Sequence, residues 1–265
     1  MTPLPDKAVI LARGLGRRMR AIGGDVKLTS EQAHAANSGV KALVPLVGGK
    51  TMLDLIVKNI TAAGFSSICL VIGPEHDAIR DFCASKNLPV VFAEQAEAKG
   101  TADAVLASKD FVGDEHFLVL NSDNLYPIEG LRRLREANRP ALLAFERASL
   151  IKKSNISADR VASFATVEID AAGNLKSIVE KPETVEANSF VSMNAWLFSP
   201  EIFQACNAIG PSAERGEYEL TAAVQFANDD LGVKFSAIKI DEGVLDLSNR
   251  GDIETASRFL ADQHQ

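Results

Sequence analysis

Short apolar runs that alternate with amphipathic helical patterns constrain this chain more than any other feature. Runs at residues 8–12, 67–72, 90–93, 117–121 and 141–145 are strand-sized and nearly continuous in apolar side chains. Helical patterns fill the gaps, at residues 52–63, 77–85, 101–108 and 129–137. A strand that is apolar on both faces has to be covered on both, as the crossover helices of a parallel sheet do. The predicted fold is therefore α/β, with a mixed, mainly parallel sheet and helices on both faces. Ligands in such folds gather beyond the carboxyl ends of the strands.

The second half changes character. Segments 164–170 and 174–180 flank Ala171-Ala172-Gly173, a hairpin signal, and 191–198 reads as a further strand, which adds an antiparallel portion to the sheet. Helices are expected at 201–208, 219–228 and 252–261, and a strand at 233–240. No internal repeat or linker divides the chain, so one structural domain is expected over residues 1–265, and 46% hydrophobic content is ample to fill it. Residues 23–39 form a polar insertion with a short helix, because Thr29 and Gln32 have capping-box spacing before Ala33-His34-Ala35-Ala36. This insertion reads equally as a lid over a site and as a surface excursion.

Composition excludes several function classes. The longest apolar runs, such as Ile68-Cys69-Leu70-Val71-Ile72, fall far short of the roughly 20 residues of a membrane helix. A net charge of −7 opposes a general nucleic-acid surface, so any phosphate site has to be a local basic pocket. Cys69, Cys83 and Cys206 are scattered, with no zinc or disulfide spacing, and read as buried thiols in a reducing compartment. The N-terminus lacks a signal-peptide pattern, and a cytoplasmic location is expected.

Polar residues cluster where the strands end. Gly14 and Gly16 follow the first strand among Arg13, Arg17, Arg18 and Arg20. Glycines there let backbone N–H groups approach phosphate oxygens; the plain alternative is a tight turn. A P-loop is excluded because no Gly-Lys-Ser or Gly-Lys-Thr follows, and the third glycine of a dinucleotide fingerprint is missing. Lys41 precedes an apolar run and, alone, reads as a solvated surface lysine. Gln95, Gly100 and Thr101 put an amide that can face a base edge beside a helix start, or else form an exposed loop capped by Thr101. Phe117 to Asn121 delivers Asp123 to a strand end, where an α/β sheet would hold Mg²⁺, although an acidic residue there also serves as a turn former.

Taken together and in order, these segments resemble a family. Leu11-Ala12-Arg13-Gly14-Leu15-Gly16-Arg17-Arg18-Met19 is similar to the Leu-Ala-x-Gly-x-Gly-x-Arg-Met signature of the sugar-phosphate nucleotidyltransferases, or sugar-nucleotide pyrophosphorylases, including their glucose-1-phosphate thymidylyltransferase-like members. Lys41 occupies the position of the family's phosphate-binding lysine, and Gln95 with Gly100-Thr101 that of its base-recognition segment. The resemblance makes Asp123 a metal ligand. Glu180-Lys181-Pro182 looks like the family's Glu-Lys-Pro motif, in which the glutamate contacts sugar hydroxyls and the lysine the sugar phosphate. Asn194 and Glu217 fall where relatives contact the sugar, and Asp246 matches the second metal ligand. Departures are Arg13 where relatives have Ala or Gly, Arg17 for Thr or Ser, Ala222 for Asp, and Ser248-Asn249-Arg250 for Gly-Thr-Pro.

The resemblance implies a Rossmann-like, GT-A-like nucleotidyltransferase fold, with a nucleotide-binding half over about 1–145 and a sugar-phosphate-binding half over about 146–265. It implies Mg²⁺-dependent transfer of a nucleotidyl group from a nucleoside triphosphate to a sugar 1-phosphate. Leu11, Ala12, Gly14, Gly16, Arg18, Gln95, Gly100 and Thr101 would bind the nucleotide. Glu180, Lys181, Asn194 and Glu217 would bind the sugar phosphate, Asp123 and Asp246 the metal, and Arg18, Lys41, Asp123 and Lys181 would act in the reaction. Neither nucleic acid nor membrane is an expected partner, and a homo-oligomer is allowed. Two alternatives stay open: transfer to a non-sugar phosphate such as phosphocholine or a cyclitol phosphate, and a nucleotide-sugar-binding regulatory module without catalysis.

Overall fold

The computed structural model describes residues 3–21, 27–180 and 189–262. Its strands are β1 (Lys7–Leu11), β2 (Ser67–Ile72), β3 (Val90–Glu94), β4 (Phe117–Asn121), β5 (Asn124–Leu125), β6 (Ala141–Glu146), β7 (Thr166–Ile169), β8 (Leu175–Val179), β9 (Phe190–Phe198), β10 (Ser236–Ile240) and β11 (Leu245–Asp246). Nine of them form one sheet in the order β10-β6-β9-β4-β1-β2-β3, with β7 pairing β8 and β9. The strands β3, β2, β1 and β4 run parallel, and β9 runs antiparallel between β4 and β6. The mixed, mainly parallel sheet expected from the alternation is present.

Burial follows from the strand pattern. On β1, Ala8 and Ile10 enter one hydrophobic cluster while Val9 and Leu11 enter another, because successive side chains point to opposite faces. Helices supply the other half of each cluster. The helix Met52–Ala62 starts at a capping box, with Thr51 Oγ1 accepting from Asp54 N (3.2 Å) and Asp54 Oδ2 accepting from Thr51 N (2.9 Å). Its Leu53, Ile56 and Ile60 are buried at helical spacing. The insertion helix Ser30–Ser38 carries the predicted capping box between Thr29 and Gln32.

Three differences from the sequence reading matter for the site. Two short helices, Arg147–Lys153 and Ala158–Ala162, follow β6 where no element was expected, since neither is long enough to show a period. Strand β10 begins at Ser236, not at 233. Finally, β5 and β11 pair antiparallel over two residues, Leu245 opposite Leu125 and Asp246 opposite Asn124. This small ladder joins the end of β4 to a segment more than a hundred residues later. Among the described residues, no helix is long and apolar enough to cross a membrane.

Candidate active site

Two cavities open at the carboxyl ends of the central strands. The first, about 470 Å³, lies beyond β1 and β4, which end side by side with Leu11 opposite Asn121. Leu11, Ala12, the loop from Gly14 to Arg18, Lys41, Gln95, Gly100 and Thr101 line it. The second, about 500 Å³, is lined by Asn124, Glu180, Ser192, Asn194, Arg215 and Asp246, among others. Arg18, Asn121 and Asp123 line both. The candidate metal ligand at the end of β4 therefore stands in a shared wall.

In the glycine loop the two glycines have different reasons. Gly16 has φ 60°, and a Cβ there would lie 2.0 Å from the Gly39 carbonyl oxygen, so the loop and the insertion touch backbone to backbone. Gly14 faces open space and is sterically free to carry a side chain. The insertion packs onto this loop: Arg20 donates to the Ser38 carbonyl through Nε (3.1 Å) and Nη2 (2.9 Å). Arg250, from the loop after β11, donates to the Met19 carbonyl (2.9 Å) and to Asn37. Residues 23–26 of the expected lid or excursion lie outside the described residues.

The four arginines of the loop divide the same way. Arg13 is buried at the edge of the first cavity with its guanidinium already engaged, Nε donating to the Gln95 carbonyl (3.0 Å) and Nη1 to Glu75 Oε1 (2.6 Å). Gly73 makes room for it, since a Cβ there would meet Arg13 Nε at 2.4 Å. Glu75 is held below the usual carboxylate range by a hydrogen bond from its own backbone and by the Arg13 charge. Arg17 and Arg18 are exposed at the first cavity and make no ion pair among the described residues. They leave two guanidinium groups free at that cavity for an anionic ligand.

The two aspartates converge through the β5–β11 ladder, and each is met by a cation. Lys41 Nζ donates to Asp123 Oδ2 (2.7 Å). Asp246 is buried; its Oδ1 accepts from Asn124 Nδ2 (2.9 Å) and Ser248 Oγ (3.3 Å), and its Oδ2 accepts from Arg160. Arg160 also donates to Asp252 Oδ1 (2.6 Å), and Asp252 Oδ2 caps the backbone N–H groups of Ser248 and Asn249 (2.8 Å each). Burial pushes the Asp246 carboxyl above its ordinary range, and the nearby Asp123 charge pushes it further. Sequence reasoning missed Arg160, Asp252 and Asn155, whose side-chain amide pairs with the backbone of Asp246 (2.8 Å each way); a lone arginine in a one-turn helix carries no spacing signal.

This donor set fits magnesium. Two carboxylates that repel each other on the lining of the second cavity favour a cation between them. No cluster of three or more metal-binding side chains exists among the described residues, and Mg²⁺ needs none, because it takes one or two carboxylates and completes its shell with phosphate oxygens and water. Asp246 would have to exchange Arg160 for the ion.

The remaining candidates fall on both sides. Glu180, exposed, and Asn194 line the second cavity; Lys181 lies outside the described residues. Asn194 sits within β9 at φ 59°, a left-handed conformation that asparagine tolerates better than most residues, beside a register shift between β6 and β9. Glu217, expected at the sugar, lines the first cavity, while Arg215 of the same loop lines the second. The loop is stitched to the Gln95 segment by Tyr218 N donating to the Lys99 carbonyl (2.8 Å) and Ala102 N to the Tyr218 carbonyl (2.9 Å), which holds Glu217 at the first cavity. Thr101 does not cap its own helix; its Oγ1 accepts from Leu220 N (2.9 Å) at the start of the helix Leu220–Asp229.

Comparison with known proteins agrees with this geometry. The chain is 27% identical over 262 residues to the UTP–glucose-1-phosphate uridylyltransferase AglF of Haloferax volcanii, covering 97% of each. It is 31% identical over 229 residues to a glucose-1-phosphate thymidylyltransferase of Streptomyces griseus, covering 84% of this chain and 57% of that one. Several curated relatives are thus longer, and the chain spans little more than half of their length. In fold it resembles a UDP-glucose pyrophosphorylase solved with UDP-glucose, with a TM-score of 0.75 at 18% identity over 98% of this chain and all of that one. Residues 7–263 match the nucleotidyl transferase family, and the chain belongs to it.

Proposed function

We propose that this enzyme transfers a nucleotidyl group from a nucleoside triphosphate to a sugar 1-phosphate, releasing pyrophosphate and an NDP-sugar. The observation that carries the reading is the wall of Arg18, Asn121 and Asp123 shared by two cavities. A transferase that joins two phosphate esters needs two adjoining compartments with charge control where they meet. Its relatives are named for transfer to glucose 1-phosphate, and we propose a pyrimidine nucleotide and a hexose 1-phosphate as the substrates.

The chemistry is an in-line displacement. An oxygen of the sugar phosphate bonds to the α-phosphorus as the bond from that phosphorus to the pyrophosphate oxygen breaks. With a second pKa of about 6, a phosphate monoester is already largely dianionic at neutral pH, so no general base is needed. The protein has to bring two polyanions together. Arg17, Arg18 and the backbone N–H groups of the glycine loop hold the triphosphate. Lys41, on Asp123, neutralises charge at the leaving pyrophosphate. Lys181 is assigned to the sugar phosphate, and Glu180 and Asn194 to sugar hydroxyls. Asp123 and Asp246 would hold magnesium, which would supply Lewis-acid neutralisation of the reacting phosphates.

We also assign the reaction to the cytoplasm, a reducing compartment suited to three buried free thiols, and treat the chain as one working unit because a single sheet takes strands from both halves. A panel of nucleoside triphosphates against sugar 1-phosphates, phosphocholine and a cyclitol phosphate, read by pyrophosphate release with Mg²⁺, tests the reading. Release that requires a sugar 1-phosphate is expected. Release only with a non-sugar phosphate, or binding without release, would overturn it.

A further inference from the structure

Gln95 is nearly fully buried, and its amide is held at one end. Nε2 donates to the Gly100 carbonyl (3.0 Å) and to Asp103 Oδ2 (2.6 Å), which uses both of its hydrogens. Which end of an amide carries nitrogen is ordinarily an assignment. Here both partners are acceptors, so only the NH₂ end can face them. Arg13 pins the backbone of the same residue, and Gly100 is locked against Tyr218, whose carbonyl oxygen would lie 2.5 Å from a Cβ there. Oε1 is left without a partner among the described residues, on a side chain that lines the nucleotide cavity, while Asp103 lies behind it and outside the lining.

We infer that Asp103 is a specificity-determining positioning residue: it fixes Gln95 so that the base meets an acceptor oxygen and no donor. This rests on the proposed nucleotidyl transfer. Among pyrimidines, uracil and thymine present a ring N3–H to an oxygen placed at N3, whereas cytosine presents a bare lone pair there and a donor only at its 4-amino group. Acceptor against acceptor leaves two buried polar atoms unpaired, and sites built to hydrogen-bond a donor reject analogues lacking it by large factors. The structure thus selects uridine or thymidine triphosphate over cytidine triphosphate.

The test compares wild type with three variants, using UTP, dTTP and CTP. Affinities are measured by calorimetry and kcat/KM with one common sugar 1-phosphate. Wild type should prefer UTP and dTTP over CTP by about 100-fold or more. Asp103→Asn keeps an acceptor oxygen for Gln95 and should keep most of that preference. Asp103→Ala leaves the amide held by the Gly100 carbonyl alone and should cut the ratio at least about tenfold. Asp103→Lys offers only donors, which compete for Oε1 against the hold of the Gly100 carbonyl on NH₂ and turn part of the amide round, so CTP should bind more tightly than it does to wild type. A loosened or poorly folded variant loses all three nucleotides together and cannot gain CTP. Equal ratios in wild type and Asp103→Ala, or a wild type that binds CTP as well as UTP, would overturn the inference. Intact selectivity in binding without turnover would instead defeat the transferase reading alone.

Discussion

The two cavities share a wall but are built on different principles. The first sits on the ends of parallel strands, and most of its polar groups come from the loops that follow them, 14–18 after β1, the Gln95 segment after β3 and Asn121 to Asp123 at the end of β4, with Lys41 and Glu217 added from elsewhere. The second is assembled where the sheet turns antiparallel, from a left-handed residue within β9, a two-residue ladder and a buried ion-pair network. Parallel strand ends offer backbone N–H groups and local arginines, which suits an anion of fixed chemistry. The antiparallel side positions isolated side chains from distant segments, which suits recognition of one acceptor. Damage should therefore be dominated by buried charge on the second side and by backbone approach on the first.

The largest contrast should come from Arg160. Replacing it with methionine leaves Asp246 and Asp252 as buried carboxylates without their cation, and removal of one partner from such a network costs about 3–5 kcal/mol. Urea denaturation should register that loss, and Mg²⁺ should restore more stability to the variant than to wild type. Equal Mg²⁺ stabilisation in both proteins would show that Arg160 does not compete with the ion at Asp246.

On the nucleotide side the corresponding weak point is the backbone. Gly16→Ala should cost about 2 kcal/mol from the left-handed φ, with more from the clash at the Gly39 carbonyl, and should raise the KM for the triphosphate. Gly14→Ala, in open space, should be nearly neutral in stability. Similar losses in both would mean that the insertion is not seated on the loop. A smaller effect is expected in β9, where Asn194→Ala should lose about 1 kcal/mol and Asn194→Gly much less. Both should raise the KM of the acceptor and leave that of the nucleotide unchanged, which separates the cavities kinetically.

The smallest effect concerns pH. Glu75 is held below its ordinary range in the folded protein, so its contribution is present above the unfolded value of about 4.3 and is lost as pH falls through the lower, folded value. With Glu75 half exposed, its pair with Arg13 contributes under about 1 kcal/mol. Glu75→Gln should flatten that acid limb slightly in a thermal-melt titration. An unchanged limb would remove the pair from the account of how Gln95 is braced.

What the sequence made legible follows the same division. The Leu11 to Met19 loop and Asp123 could be read because their residues are adjacent and lie at strand ends, and Thr29 announced its helix through capping spacing. The β5–β11 ladder could not be read, since two residues carry no alternation. The Arg160 network was equally hidden, because Asp246, Asp252 and Arg160 are tied by geometry alone. Arg13 left a usable signal: an arginine directly after a buried strand needs room and a counter-charge, and Gly73 and Glu75 follow the neighbouring strand β2. Glu217 and Arg215 could not be sorted between cavities, because the stitching of their loop to Lys99 and Ala102 is a long-range contact.

The central claim is that Asp123 stands where both substrates react, and the most direct test is Asp123→Ala under single turnover with both substrates saturating. Pyrophosphate release should fall by about 1000-fold or more, with dissociation constants for the triphosphate and the sugar phosphate within about tenfold of wild type and the circular dichroism spectrum unchanged. Near-normal release by the variant would contradict the account.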